Sequence, residues 1–217
     1  MTVKDRRERR RRLVDVASAQ SGYFSAAQAL AVGYSYQAQK QNADRGSWRK
    51  VARGIFRLPE WPGGRREDLV RLALWSHGRA VVSHESALSV HELGDVNPAS
   101  IHVTVPPGFR QRAPGGVLLH RAELPAADIR QQEGFRVTTP LRSLLDVAAG
   151  DLDLDLLAGA IEDALEQGLL TRPSLLARAD RHGPKAALRV ERALGGSGGR
   201  KSEARTTAPG HEAGGDR

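Results

Sequence analysis

The pattern of apolar and polar positions predicts a helical region at the start of the chain. Apolar residues recur at helical spacing over residues 4–20, where Leu13, Val16 and Ala17 share one face. We expect this face to pack against Ala27 and Leu30 of a second helix. That helix should begin at Ser25 and end near Ala31, because Ser25-Ala26-Ala27-Gln28 has the S-x-x-Q form of a capping box.

A third helix and a hairpin follow along the chain. Gly33 should end the second helix, and Ser35 can cap a third one that runs to about Arg45. Ala38, Gln39 and Ala43 give this third helix a thin apolar face. Residues 48–51 and 55–58 should form two strands around a three-residue loop that contains a glycine. The order helix, glycine turn, helix, hairpin is typical of a winged helix-turn-helix, which inserts a helix into a groove of DNA.

The rest of the patterned chain mixes strands and helices. Strict alternation predicts a half-buried strand over residues 101–105, and residues 117–121 and 135–138 are expected neighbours. Predicted helices cover residues 67–76, 83–93, 140–149, 153–167, 174–179 and 186–194. The predicted fold class is therefore α+β: a winged helix-turn-helix domain with a basic N-terminal arm over residues 1–60, a mixed domain with a helical C-terminal half over 66–194, and a disordered tail over 195–217.

The net charge is confined to the first quarter of the chain. Residues 1–60 carry 13 Lys and Arg against 5 Asp and Glu, a net charge of +8, whereas residues 61–217 carry 20 of each. A field of one sign on one domain is the electrostatic pattern of a surface that neutralises phosphates. The alternative is a solvated basic segment over residues 4–12 with no specific partner.

The third helix and the hairpin contain the candidate contacts to double-stranded DNA. Gln37, Lys40, Gln41 and Asp44 fall at i, i+3, i+4 and i+7, so they share a face. Glutamine and lysine can reach base edges, whereas Asp44 is expected to hold Arg45 or Arg49. Arginine and lysine in the hairpin are suited to phosphate contacts. The arginines of residues 6–12 could follow the backbone or enter a minor groove. The candidate residues are Tyr36, Gln37, Lys40, Gln41, Arg49, Lys50, Arg53 and Arg57.

Composition limits the remaining function classes. The chain has no cysteine, which excludes disulfides, thiol catalysis and cysteine zinc sites. Aromatic residues make up only 5%, which favours aliphatic and alanine-rich cores. No apolar stretch is long enough for a signal peptide or a membrane span, so a cytoplasmic protein without membrane contact is expected.

Two groups of side chains invite a catalytic or metal-binding interpretation. His84 and His91 are two helical turns apart, about 10 Å, which is too far for one zinc ion. Asp151, Asp153 and Asp155 form two Asp-x-Asp pairs that could hold Mg²⁺, but acidic residues at a helix N-terminus also offset the helix dipole. His102 and His120 lie on predicted strands as surface or cross-strand partners. We therefore assign no catalytic residue, metal or cofactor, and we do not expect an enzyme.

Several short motifs carry a family resemblance over about residues 20–170. The first are Gly22-Tyr23-Phe24-Ser25, Gly33-Tyr34-Ser35, Gly46-Ser47-Trp48 and Arg53-Gly54-Ile55-Phe56-Arg57-Leu58. Later ones are Ser83-His84-Glu85-Ser86-Ala87-Leu88, Ile101-His102-Val103-Thr104-Val105-Pro106 and the segment Val137 to Asp146. Together they resemble AbiEi-family antitoxins of type IV toxin–antitoxin systems. The resemblance implies a repressor of its own operon that opposes a nucleotidyltransferase-like toxin, directly or indirectly. The alternative is a winged-helix regulator whose second domain senses a small ligand.

Overall fold

The structure is a computed structural model that describes the backbone of residues 3–203 and the side chains of residues 4–195. The helices are α1 (Val3–Ser18), α2 (Ala26–Ala31), α3 (Tyr36–Asp44), α4 (Glu67–Trp75), α5 (His84–His91), α6 (Pro140–Ala149), α7 (Leu154–Glu166), α8 (Arg172–His182) and α9 (Pro184–Glu203). The strands are β1 (Tyr23–Ser25), β2 (Arg49–Ala52), β3 (Ile55–Arg57), β4 (Val81–Val82), β5 (Ile101–Val105), β6 (Val117–Arg121), β7 (Ile129–Gln131) and β8 (Arg136–Thr138). The mixed α+β class predicted from the sequence is confirmed.

The chain divides into two compact units that differ from the predicted domains. The first unit combines the described residues up to Ser83 with Ala99–Thr139, and the second combines His84–Pro98 with the described residues from Pro140 onward. Strand pairing explains the division, since β4 pairs with both β5 and β8 and keeps these later segments in the first unit. Among the described residues, no strand pair joins the segments before and after the division predicted at residues 60–66. Helix α4 instead contacts β1 and β3, and Glu67 accepts hydrogen bonds from Tyr23 and Arg57, so the first unit continues through that division.

The start of the first unit has an aromatic core, where an aliphatic one was expected. Trp48 packs on Phe24, Tyr34 and Phe56 with ring centroids 4.9, 4.8 and 5.5 Å away. Leu13 and Ala17 of α1 are fully buried against this cluster. Four of the chain's ten aromatic residues therefore share one small core, a local concentration that the composition of the whole sequence does not show.

The predicted partners of α1 on the second helix were wrong. Leu30 is 45% exposed and Ala27 is also exposed, whereas Ala29 is completely buried. The inward face of α2 is thus shifted by one residue, to Ala26 and Ala29, because a six-residue helix is too short for spacing to fix its orientation.

Two sheets organise the first unit. The small sheet has the order β1-β3-β2 and is antiparallel throughout. The second has the order β6-β5-β4-β8-β7, with β5 parallel to β6 and β4 parallel to β8. The strands predicted over residues 101–105, 117–121 and 135–138 are confirmed. Residues 117–121 are the expected neighbour of β5, but β8 pairs with β4, so the expectation that residues 135–138 also lie beside β5 was wrong. Strands β1, β4 and β7 were not predicted, because segments of two or three residues carry no measurable periodicity.

The second unit is helical and has the aliphatic core that the composition predicts. Buried leucine, isoleucine, valine and alanine side chains of α5, α6, α7, α8 and α9 form one cluster. Gly94 allows the segment after α5 to approach α7, since a Cβ there would lie 3.1 Å from that of Ala160. Its backbone N–H donates a 2.7 Å hydrogen bond to Asp163.

The end of the chain differs from the predicted tail. Helix α9 continues to Glu203, past the predicted end of regular structure at residue 194. Residues 204–217, which belong to the same predicted disordered tail, lie outside the described residues. Among the described helices, none combines the length and apolarity needed to span a membrane.

Candidate nucleic-acid interface

The turn between α2 and α3 is fixed at both helix ends. Ser25 accepts a hydrogen bond from the backbone N–H of Gln28, and the Gln28 side chain accepts one from Ser25, which completes the predicted capping box. Gly33 has a φ of +97°, a conformation that favours glycine. Arg9 donates to the Gly33 carbonyl at 3.0 Å. The turn therefore sets the direction in which α3 leaves.

Helix α3 is capped at its N-terminus by Ser35 and held on its buried face by the side chain of Gln39. Ser35 accepts a hydrogen bond from the Ala38 N–H, as predicted. The amide of Gln39 is 3% exposed and donates to the carbonyls of Ala26 and Tyr34, both at 3.0 Å. These two bonds satisfy the buried amide and hold α2 and α3 together. The role of Gln39 was missed because the sequence alone does not show whether a polar side chain on an apolar face has a partner.

The outer face of α3 presents polar side chains to solvent. Tyr36 is 67% exposed, and Gln37, Lys40, Gln41 and Asp44 are exposed along the same helix. Lys40 forms a 2.7 Å ion pair with Asp44, and this hydrogen bond raises the pKa of Lys40. The expected pairing of Asp44 with Arg45 or Arg49 was wrong, because Lys40 lies one helical turn earlier on the same face.

The hairpin presents three basic side chains beside a fixed loop. Arg49, Lys50 and Arg53 are exposed, and the strand register shifts between Lys50 and Ala52. The Gly54 carbonyl accepts a 2.8 Å hydrogen bond from the N–H of Ala26, which ties the loop to the start of α2. The hairpin and the helix pair are therefore joined by backbone as well as by the aromatic core.

Arg57 lies in a different environment from the other candidates. Its side chain is 13% exposed and donates to Glu67 at 2.9 Å and to the Trp61 carbonyl at 3.1 Å. The guanidinium also lies 5.3 Å from the ring centroid of Tyr23. Arg57 therefore joins β3 to the segment before α4 through one terminal nitrogen of its guanidinium, while its Nε is buried and has no hydrogen-bond partner among the described residues.

Glu67 is the centre of this network. It accepts hydrogen bonds from the Tyr23 hydroxyl at 2.7 Å, from Arg57 and from the backbone N–H of Gly64 at 2.8 Å. The bond from Tyr23, followed by that from Gly64, lowers the pKa of Glu67. Burial, followed by the bond to Glu67, raises the pKa of Tyr23. The segment from Trp61 to Gly64, which lies between the two predicted domains, is thus held by a hydrogen-bonded carboxylate.

We expect Glu67 to make the free energy of unfolding depend on pH in the acidic range. Because its pKa is lowered in the folded state, its contribution is present above 4.5, the ordinary value, and is lost as the pH falls through the folded pKa. Glu67→Gln should lower the free energy of unfolding at pH 7 by about 1–3 kcal/mol. The difference from wild type should shrink below pH 4.5.

Urea unfolding at pH 7 and at pH 4 measures this effect. Asp68→Asn is the matched control, since Asp68 is exposed in the same first turn of α4 and shares its helix-dipole interaction. An equal loss in both variants at pH 7 would contradict the role assigned to the network.

The basic segment near the N-terminus is part of helix α1, which confirms the helix predicted over residues 4–20. Arg10 pairs with Glu60 at 2.5 Å, and Arg11 and Arg12 both contact Glu8 at 3.1 Å. The bond from Arg12 lowers the pKa of Glu8. Arg9 lies 4.2 Å from the Tyr34 ring centroid in addition to its bond to Gly33. Lys4, Arg6 and Arg7 are exposed on the first turns of the same helix.

The other candidate groups have structural partners. Asp153 caps α7 by accepting hydrogen bonds from the N–H groups of Asp155 and Leu156, which agrees with the helix-dipole interpretation. Asp151 pairs with Lys185 at 2.7 Å, and this bond lowers its pKa. His102 and His120 lie on β5 and β6 with ring nitrogens 3.3 Å apart, as partners on neighbouring strands. Burial, then the neighbouring His102, lowers the pKa of His120.

Among the side chains that the structure describes, no three or more His, Asp or Glu residues are grouped so that they could hold a metal ion.

Comparison with known proteins gives the family. The family model described as the AbiEi antitoxin C-terminal domain matches residues 80–195, which is more than half of the chain. The chain belongs to the AbiEi antitoxin family. The matched segment begins next to β4 and ends within α9, so α1 to α4 and the small sheet lie before it.

A solved structure shares the fold of this AbiEi-family chain. It is the crystal structure of the RV2827C protein from Mycobacterium tuberculosis, with a TM-score of 0.58 and 16% sequence identity. The similarity covers 88% of this chain and 77% of that one. No curated protein matches the sequence.

Proposed function

We propose that this AbiEi-family chain is a cytoplasmic DNA-binding antitoxin that represses its own operon and opposes a nucleotidyltransferase-like toxin. In this proposal residues 1–60 form a winged helix-turn-helix, in which α3 is the recognition helix and the β2–β3 hairpin is the wing. Supporting this proposal is the exposure of amide and basic side chains on α3 and the wing of one rigidly held module.

The chemistry of this surface is suited to a duplex. Gln37, Gln41 and Lys40 lie in the part of the helix that helix-turn-helix proteins use to reach base edges. Arg49, Lys50 and Arg53 carry positive charge to the wing, where they would bind phosphates and fix the position of the helix. Tyr36 adds an exposed ring at the start of α3. We leave Arg57 out of the interface because Glu67 and the Trp61 carbonyl already accept its hydrogen bonds.

The antitoxin activity is assigned to residues 61–217, which contain the segment that matches the family. Residues 61–217 have no net formal charge, which sets them apart from the basic first quarter. This segment would act through its own surface, either by contact with the toxin or on a target of the toxin without a stable complex. The role requires no metal, cofactor or catalytic residue.

Single substitutions should separate base reading from phosphate binding. Arg53→Ala should weaken binding to all DNA sequences alike and lower the slope of log affinity against log salt by about 0.9. Gln37→Ala should change which base is preferred at one position of the operator, at a cost of about 1–3 kcal/mol for the preferred base. Binding of the full chain to a randomised pool of operator sequences, at several salt concentrations, measures both effects. Equal loss of sequence preference in both variants would mean that α3 is not the reading helix.

A further inference from the structure

A groove of about 480 Å³ lies within the first unit, between the wing and the second sheet. Val51, Ala52, Arg53 and Ile55 of the hairpin line one side. Helix α4 and the residues beside β5 and β6 line the others. The volume is within the range of small-molecule sites.

The floor of this wing groove is apolar. Leu72 and Ile55 are each 5% exposed, and Trp75 is half-buried with its ring centroid 5.5 Å from that of Phe109. Ile101 and Val117, which are opposite each other on β5 and β6, complete the floor. These side chains can exclude water from one face of a ring system.

The rim of the wing groove is positively charged. Arg53, Arg71 and Arg112 line it, against one carboxylate, that of Asp68. All four side chains belong to exposed residues. Among the described residues, the three guanidinium groups have no ion pair or hydrogen bond, although Arg71 lies close enough to Glu67 to interact with its charge. Their donors are therefore available for an anionic group of a ligand.

We propose that the wing groove binds a small amphipathic anion, a hydrophobic ring system that carries one acidic group, and that this ligand weakens DNA binding. The ring lies on the Trp75 floor and the acidic group is bound by Arg53, Arg71 and Arg112. Arg53 is shared with the proposed phosphate contacts of the wing, so this coupling rests on the proposed function. Because coupling between two sites is reciprocal, DNA also weakens the ligand.

The groove can be tested without DNA by fluorescence titration of the full chain with two probes. Anilinonaphthalene sulfonate is an aromatic anion of the required kind, and N-phenylnaphthylamine has the same rings without the charge. Arg71→Ala and Arg112→Ala should each weaken binding of the sulfonate up to about fivefold, as for an exposed ion pair. Both variants should leave the neutral probe unchanged. Arg65→Ala and Arg110→Ala are matched controls, since both residues are exposed but lie outside the groove lining.

A filling substitution tests the location. A Cβ at Gly115, which lines the groove, meets no atom within 4 Å, so Gly115→Phe can be accommodated and should block both probes. Gly108→Phe is the control, because Gly108 is equally open and lies outside the lining. Sulfonate binding that is unchanged in Gly115→Phe and in both arginine variants overturns the site.

The coupling is measured separately. At saturation, the sulfonate should lower the DNA affinity of the wild-type chain by about the same factor as the Arg53→Ala substitution does. It should leave the DNA affinity of Gly115→Phe unchanged. Unchanged DNA affinity in wild type with the groove occupied overturns the coupling. Failure of wild type to bind any DNA would overturn the proposed function, whereas the probe titrations would still decide whether the groove binds an anion.

Discussion

Reversing two charges on the wing, Arg49→Glu with Arg53→Glu, should weaken DNA binding by a factor on the order of 100. Both side chains are exposed on the hairpin and have no role in the aromatic core, so the fold should be retained. The variant loses two phosphate contacts and gains two repulsive charges. The slope of log affinity against log salt should therefore fall by about 1.8, which is twice the value for one phosphate.

Arg65→Glu with Arg110→Glu is the control for total charge. These two residues are exposed in the same unit but lie outside the α3–wing surface. The control should keep most of the affinity and the wild-type salt slope. If both double variants lose affinity equally, DNA binding depends on net charge alone and the wing is not its site.

Trp48→Ala should cost about 3–5 kcal/mol of unfolding free energy. Trp48 is 1% exposed and connects the end of α3 to β2, where it packs on three other aromatic rings. The substitution removes these ring contacts and leaves a cavity. The backbone of α3 and β2 on either side cannot easily move in to fill it. Since a whole domain is stabilised by only about 5–15 kcal/mol, the module should be largely destabilised and DNA binding lost with it.

Tyr36→Ala is the matched control for the stability measurement on Trp48→Ala. Tyr36 is an aromatic residue of the same module, but it is 67% exposed, so its removal should change the unfolding free energy by less than about 0.5 kcal/mol. Urea unfolding followed by far-ultraviolet circular dichroism gives both values. Equal stability of the two variants would show that the aromatic cluster is not the core of the module.

The features of the module that could be predicted from sequence were those coded locally. The capping box at Ser25, the cap at Ser35 and the hairpin around Gly54 depend on residues at most four positions apart. Strand β1 was missed because its pairing partner β3 is about thirty residues away and its own three residues show no pattern. The inward face of α2 was misassigned because a helix of six residues is also too short to show a clear pattern.

Side-chain partners were the least predictable part of the candidate site. The sequence places Arg53 and Arg57 in the same basic hairpin, but only the fold shows that Glu67 approaches Arg57 from outside it. The buried amide of Gln39 and the pairing of Lys40 with Asp44 likewise depend on which neighbours the fold supplies. A basic residue in sequence therefore becomes a candidate for DNA contact only after internal acceptors have been excluded.

The central claim is that one chain represses its operon through the α3–wing surface and opposes a toxin through residues 61–217. The most direct measurement expresses the Arg49→Glu, Arg53→Glu variant from an unrelated promoter. It records operator repression and rescue from the proposed nucleotidyltransferase-like toxin in the same cells. Circular dichroism of the purified variant establishes that it is folded. We predict that repression is lost while rescue is retained. Loss of both in the folded variant would contradict the division and make the winged module part of the neutralising surface.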